Sequence, residues 1–202
     1  MTVAAVVLAA GAGSRFGGGK LLAILDGRPI IAHVVDAARS AGLEPIVVVT
    51  PPTGELDGLD LGAIRRVVNE TPQEGLSSSV RVGLREVELE DGVTAAVILP
   101  ADQPRVLPDV IRSLLAAMDA SPGTPFVVAR HAGDRTPNPV LARRTIWRLA
   151  DELAGDRGFG PLLSAHPELV RWVDVAGSNP DVDTPADLAR LAEAGGWPAD
   201  VS

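Results

Sequence analysis

The residues with the clearest chemistry stand near the start of the chain. From position 11 to position 20 the sequence GAGSRFGGGK holds Gly11, Gly13, Gly17, Gly18 and Gly19 together with Arg15 and Lys20. Glycines let backbone N–H groups approach an anion closely, because no Cβ stands between them. An arginine forks across phosphate oxygens and holds a fixed geometry, while a lysine adds a mobile point charge. Two cations on such a loop predict a polyphosphate ligand, a nucleoside triphosphate. Further along, Asp102 follows an apolar run and Asp183 stands just ahead of a helix start. Magnesium is usually held by one or two carboxylates and completed by substrate phosphates and water. Asp102 is therefore the first candidate metal ligand and Asp183 the second, with Asp181 an alternative to Asp183.

Two better-known glycine loops fail on named positions. A dinucleotide fingerprint needs G-x-G-x-x-G, and here Gly11 and Gly13 are followed by Phe16 where the third glycine belongs. A Walker A loop needs G-x-x-x-x-G-K-[ST], but Lys20 is followed by Leu21, and Ser14 occupies the first glycine position. None of His33, His131 and His166 forms a pair with metal-ligand spacing, so they read as packing or surface residues. Trp147 and Trp172 read as core. The chain has no cysteine, so neither thiol catalysis nor a disulfide framework is available.

Alternating strands and helices must position these groups. The apolar run 4–10 suits a strand buried on both faces. Further strands are expected at 46–49, 67–68, 95–99, 126–129 and 172–175. Helical faces are expected from Ile30, Ile31, Val34, Val35 and Ala38, with Pro29 near the first helical position. Others come from Val80, Leu84 and Val87, from Val110, Ile111, Leu114, Leu115 and Met118 after Pro108, and from Ile146, Leu149, Ala150 and Leu153. Ser77 or Ser78 is expected to cap the second of these. The last helix opens with Thr184 at its N-cap, Pro185 at N1 and Asp187 at N3, a capping box with an acidic third residue. Such alternation implies a mainly parallel sheet with helices on both faces. Sites in these sheets lie at the carboxyl ends of strands, so the glycine loop, Asn69 and Asp102 should converge on one edge. Residues 51–61 read as a loop, 130–160 as a small acceptor-binding lobe, and 195–202 as a frayed tail.

The pattern LAAGxGxRxGxxK, filled by residues 8–20, resembles the signature loop of the nucleotidyltransferase superfamily with a glycosyltransferase-A-like fold. The segments NETPQEGLSSSVRVGL (69–84), LPADQP (99–104), TPNPVL (136–141), GDRG (155–158) and DVDTPADL (181–188) follow in the order of one branch. That branch holds molybdenum cofactor cytidylyltransferases and their MobA-like relatives, and the resemblance runs over residues 3–194. It implies a single α/β domain, a three-layer α/β/α sandwich with a mainly parallel, Rossmann-like sheet of the nucleotide-diphospho-sugar transferase type. It implies that Leu8, Ala9, Ala10, Gly11, Gly13, Arg15, Lys20, Asn69, Gly75 and Ser78 border the nucleotide. Arg15, Lys20 and Asp102 would be catalytic, and Asp102 and Asp183 would hold Mg²⁺. The LAAG form resembles cytidylyl enzymes, whereas LAGG marks guanylyl ones. The expected reaction is transfer of CMP from CTP to a phosphorylated acceptor such as the molybdenum-pterin cofactor, releasing pyrophosphate, with a protein partner to receive the product.

Two other readings stand beside this one. The first is transfer of GMP, CMP or UMP to a sugar, polyol or phospho-acid acceptor. The second is a non-catalytic regulatory module that binds a nucleotide or cofactor. The chain departs from the family where Phe16 replaces a common Met and where Thr136 stands near an expected Gly before Asn138-Pro139. Arg135 and Asn138 would either touch an acceptor or shape a hairpin. The consecutive glycines 17–19 imply a loop that orders around its nucleotide.

Composition narrows the partners. A chain of 202 residues with a net charge of −8 lacks the basic surface that nucleic acid or an anionic membrane needs. No apolar run reaches the roughly 18 residues of a membrane span, and the start carries no leader-like pattern. The expectation is a soluble cytoplasmic protein.

Overall fold

Runs of Val, Ile and Ala too short for helices form strands buried on both faces. In β1 (Thr2–Leu8) every residue after Thr2 is buried. Successive side chains point to opposite sides: Val3, Ala5 and Val7 enter one core cluster, and Ala4, Val6 and Leu8 enter another. The structure, a computed structural model, describes residues 2–11, 13–132 and 137–194. The expectations for Arg135, Thr136 and the tail at 195–202 lie outside the described residues.

The chain continues through β2 (Ile24–Leu25), β3 (Arg28–Pro29), α1 (Ile30–Ser40), β4 (Ile46–Thr50), β5 (Arg65–Val68), α2 (Leu76–Glu88) and β6 (Val93–Pro100). It then forms α3 (Pro108–Asp119), β7 (Phe126–His131), β8 (Val140–Arg143), α4 (Gly160–Ala165), β9 (Val170–Val175) and α5 (Pro185–Glu193). Seven strands make the central sheet in the order β5-β4-β1-β6-β8-β7-β9. All neighbours run parallel except β8, which is antiparallel to both β6 and β7. Helices α1 and α3 pack on one face through Ile31, Val34, Ile111 and Leu114. Helices α2 and α4 cover the other through Val80, Leu84, Val87, Leu162 and Leu163. Each fully buried Leu or Ile of these layers contributes about 1.5–3 kcal/mol by leaving water. The expected three-layer α/β sandwich is therefore the observed one.

Pro29 ends β3 and is the N-cap of α1, next to the first helical residue as expected. Other local expectations change. No serine caps α2: Gly75 is its N-cap at φ 91°, and Ser77, Ser78 and Ser79 lie in the first turn. Residues 144–152 form a 3-10 helix. Its core-facing residues, continuing into the next position, are Trp147, Ala150 and Leu153, the spacing of three that eclipsed 3-10 turns present on one side. The stretch read as an acceptor lobe supplies β8 to the central sheet and Trp147 to the core. Trp147 donates its indole N–H to the Ala142 carbonyl at 3.0 Å. Trp172, by contrast, is 39 % exposed beside the Arg130 guanidinium, on β9 at the edge of the sheet.

A third, smaller cluster of Leu25, Ile30 and Val182, flanked by Phe16, Leu21, Leu188 and Leu191, sits away from the sheet. It joins the glycine loop, the β2–β3 hairpin and α5. The hairpin turns at Asp26-Gly27, both at positive φ (49° and 79°), the signature of a two-residue primed turn. Arg105 pins this group by pairing with Asp26 at 3.0 Å and donating to the Leu191 carbonyl at 2.8 Å.

Candidate functional site

Parallel strands β1, β4 and β6 all end on the same sheet edge, so the loops that follow them meet there. The loop after β1 turns twice, with the Phe16 N–H on the Gly13 carbonyl at 2.9 Å and the Gly17 N–H on Ser14 at 3.3 Å. Gly13 sits at φ 53° with the Lys20 Cβ only 3.5 Å from where its own Cβ would be, so the loop folds back on its own end. That fold-back aims Lys20 across the edge toward the turn after β6. Its ammonium lies 2.7 Å from Asp102 Oδ2 and 3.6 Å from Asp183 Oδ1. Arg15 reaches Asp183 Oδ2 at 3.1 Å from a far more exposed position.

These groups line a cavity of about 600 Å³. Leu8, Ala10, Gly11, Gly13, Ser14, Arg15 and Lys20 form one wall, and Pro72, Gln73, Gly75, Leu76 and Ser79 form the other. Pro100, Asp102, Asp156 and Asp183 complete it. Three carboxylates thus face two cations across this cavity. Asp102 and Asp183 already share one cationic group, the Lys20 ammonium. Their oxygens are the hard donors that Mg²⁺ or Mn²⁺ prefers. Among the described residues no group of three or more His, Cys, Asp or Glu could hold a metal ion, so phosphates and water would supply the remaining ligands. The residues present fit such an ion.

Asp181 stands next to this pair without lining the cavity. Its Oδ1 accepts from Gln103 Nε2 at 2.7 Å. Desolvation of its carboxyl end pushes its pKa up, and the nearby charges of Asp102 and Asp183 add to this against the opposing effects of Gln103 and Lys20.

Three residues expected at the nucleotide stand behind the wall. Ala9 turns its methyl into the α1/α3 core, as strand alternation requires of the neighbour of Ala10. Asn69 is fully buried, and its amide donates to Ser78 Oγ at 2.8 Å and Ser79 Oγ at 3.0 Å while Oδ1 accepts the Thr71 N–H at 3.0 Å. Ser78 spends its hydroxyl on the Gly75 and Thr71 carbonyls. Together they brace the Thr71–Gly75 wall, and Ser79 is the serine that faces the cavity. Gly75 must be glycine, since a Cβ there would lie 2.5 Å from both Asp156 Oδ1 and the Gly155 carbonyl carbon. This contact brings Asp156 of the GDRG segment to the cavity.

The sequence profile of the MobA-like NTP transferase domain matches residues 5–170. This chain belongs to that family. It is 30% identical over 214 aligned positions to the bifunctional enzyme IspD/IspF of Caulobacter vibrioides, covering 97% of this chain and 50% of that protein. It is 34% identical over 128 positions to the 2-C-methyl-D-erythritol 4-phosphate cytidylyltransferase of Cereibacter sphaeroides, covering 61% of this chain and 56% of that protein. The chain thus spans about half the length of the curated relatives it matches. Among solved structures, Rv0371c of Mycobacterium tuberculosis superposes with a TM-score of 0.83 at 30% identity over 96% of this chain and 98% of that one. A second crystal structure of that protein, in complex with manganese, gives 0.78 at 29% identity over 96% of this chain and 100% of that one. The family match agrees with the nucleotidyltransferase class expected from the MobA-like glycine loop. No helix among the described residues is long and apolar enough to cross a membrane.

Proposed function

We propose that this MobA-like domain transfers CMP from CTP to the phosphate of a small acceptor and releases pyrophosphate. The observation that carries this reading is Lys20 seated between Asp102 and Asp183 at the mouth of the glycine-loop cavity. In nucleotidyl transfer the acceptor oxygen attacks the α-phosphorus in line, and charge builds on the α-phosphate and on the leaving pyrophosphate. The protein therefore acts mainly by positioning and neutralising. Arg15 and Lys20 hold the phosphates, and the Leu8–Gly11 and Gly75–Ser79 walls enclose the nucleoside. The Ala10 methyl occupies room that a purine would need, which favours CTP. Asp102 and Asp183 would hold a Mg²⁺ ion, which would supply positive charge against the phosphates. A phosphate-monoester acceptor has a second pKa near 6, so it arrives largely as a dianion and needs no general base.

For the acceptor, the Asp102-Gln103-Pro104 and Asp183-Thr184-Pro185 segments favour the phosphate of a molybdenum-pterin cofactor, with a partner protein to take the product. The name of the Cereibacter sphaeroides relative favours a second acceptor, 2-C-methyl-D-erythritol 4-phosphate. Pyrophosphate release with CTP, GTP or UTP against each acceptor tests both. The expected result is release with CTP and one of these phosphates. Release with GTP ahead of CTP removes the base assignment. No release with any pair, while CTP still binds, leaves only the regulatory-module reading.

A further inference from the structure

Gln103 follows Asp102 directly and is 3 % exposed. Burying a primary amide is costly unless its polar atoms are used. Its Nε2 donates to Asp181 Oδ1 at 2.7 Å, and its Oε1 accepts from Asn179 Nδ2 at 3.5 Å. The Asp102 carbonyl accepts the Val182 N–H at 2.9 Å, and Val182 is itself fully buried against Leu25 and Ile30. The turn after β6 and the strap before α5 are therefore tied by two side-chain bonds, of which the one to Asp181 is the shorter, and by one backbone bond. The next residue along the strap is Asp183. Both carboxylates that touch Lys20 line the cavity, whereas Asp181 turns an oxygen to Gln103.

We infer that Gln103 is a positioning residue that sets Asp183 opposite Asp102 by gripping Asp181, and that Asp181 is the partner of this clamp and not a metal ligand. This rests on the reading that Asp102 and Asp183 hold the ion. A buried clamp behind a ligand pair fixes ligand orientation, and loss of such a partner lowers metal affinity by about 10–100-fold.

The test is a Mn²⁺ titration followed by electron paramagnetic resonance, with CTP present and no acceptor, so that no turnover enters. Gln103→Leu and Asp181→Leu are each expected to weaken Mn²⁺ binding about tenfold or more, and the double variant to be no weaker than either alone, because the two act as one unit. Asp181→Asn keeps an Oδ1 acceptor for Gln103 and should bind Mn²⁺ as the wild type does, while Asp183→Asn should not. Loss with Asp181→Asn equal to that with Asp183→Asn, or additive losses in the double variant, overturns the inference. Should Gln103→Leu fail to fold, the contrast between Asp181→Asn and Asp181→Leu decides alone: retention against loss supports the clamp, and equal behaviour removes it. Unchanged Mn²⁺ binding in both Asp102→Asn and Asp183→Asn rejects the metal pair itself, a distinct failure.

Discussion

Lys20 faces two competing demands. Its ammonium sits 2.7 Å from Asp102 and 3.6 Å from Asp183; on the proposed function a divalent ion would compete with it there, and a triphosphate would draw the same charge toward the glycine loop. Removing the charge while keeping the length separates the two. Lys20→Met should bind Mn²⁺ more tightly than wild type in the absence of nucleotide, since a like charge has left the carboxylates. The same variant should lose about 100-fold or more in CTP-dependent pyrophosphate release, the scale of removing one donor to developing charge. Unchanged values in both titration and turnover would show that the loop has been misassigned. The choice among Ser77, Ser78 and Ser79 also belongs to single residues. Consecutive helical positions differ by about a third of a turn, so which serine faces the cavity depends on how Val80, Leu84 and Val87 seat α2 on the sheet. Composition alone does not contain that rotation.

At the scale of elements, α2 lies against β1 and β4 so closely that a Cβ on Gly83 would fall 2.2 Å from Val6 Cγ1 and 3.0 Å from Val49 Cγ2. Helix propensity favours alanine over glycine by about 1 kcal/mol, yet overpacking a core costs about 1–3 kcal/mol. Gly83→Ala should therefore lower the stability measured by urea unfolding, and a rise would mean that α2 shifts freely. Helix α5 depends on its cap, because none of its residues is fully buried. The Asp187 N–H donates to Thr184 Oγ1 at 3.2 Å, and the Thr184 N–H donates back to Asp187 Oδ2 at 2.7 Å. Thr184→Ala should cost about 1 kcal/mol. Hydrogen bonding from the Thr184 side chain, aided by backbone N–H groups and Arg190, holds the Asp187 carboxyl below the ordinary aspartate range. Its ionised form thus stabilises the fold above the unfolded-state pKa of about 3.9, and this contribution is lost as the pH falls through the depressed folded-state value. The stability gap between wild type and Asp187→Ala, followed by thermal melts, should persist at neutral pH and close only in acid below about pH 4.

At the scale of the molecule, one sheet separates two large core clusters, and the cavity draws on loops from both ends of the chain. Ligand binding should therefore stabilise the whole domain at once. At about a hundred times its dissociation constant, a ligand adds about 2.7 kcal/mol. Among nucleotides tested with and without Mg²⁺, CTP with Mg²⁺ should give the largest rise in melting temperature, and Asp102→Asn should lose most of the metal-dependent part. Far-UV circular dichroism and tryptophan fluorescence should report the same transition, because Trp147 sits in a core built on that common sheet. A larger shift from GTP, or none from any nucleotide, would count against the cytidylyl reading.

Residue order alone carries the strand–helix alternation, the buried run of β1, the capping box at Thr184 and Asp187, and the glycine loop with its two cations. Each is a local property, fixed by residue type and spacing within a few positions. Three-dimensional packing alone brings Lys20 to Asp102 and Asp183, residues more than 80 and 160 positions away, and joins Asn69 to Ser78 behind the cavity wall. It also decided that β8 runs antiparallel inside the sheet and that Asp156 reaches the cavity through its contact with Gly75. The short β2–β3 turn was legible in Asp26-Gly27 and went unread. The others depend on which faces pack together, and long-range packing is a sum over many weak contacts that no single motif encodes.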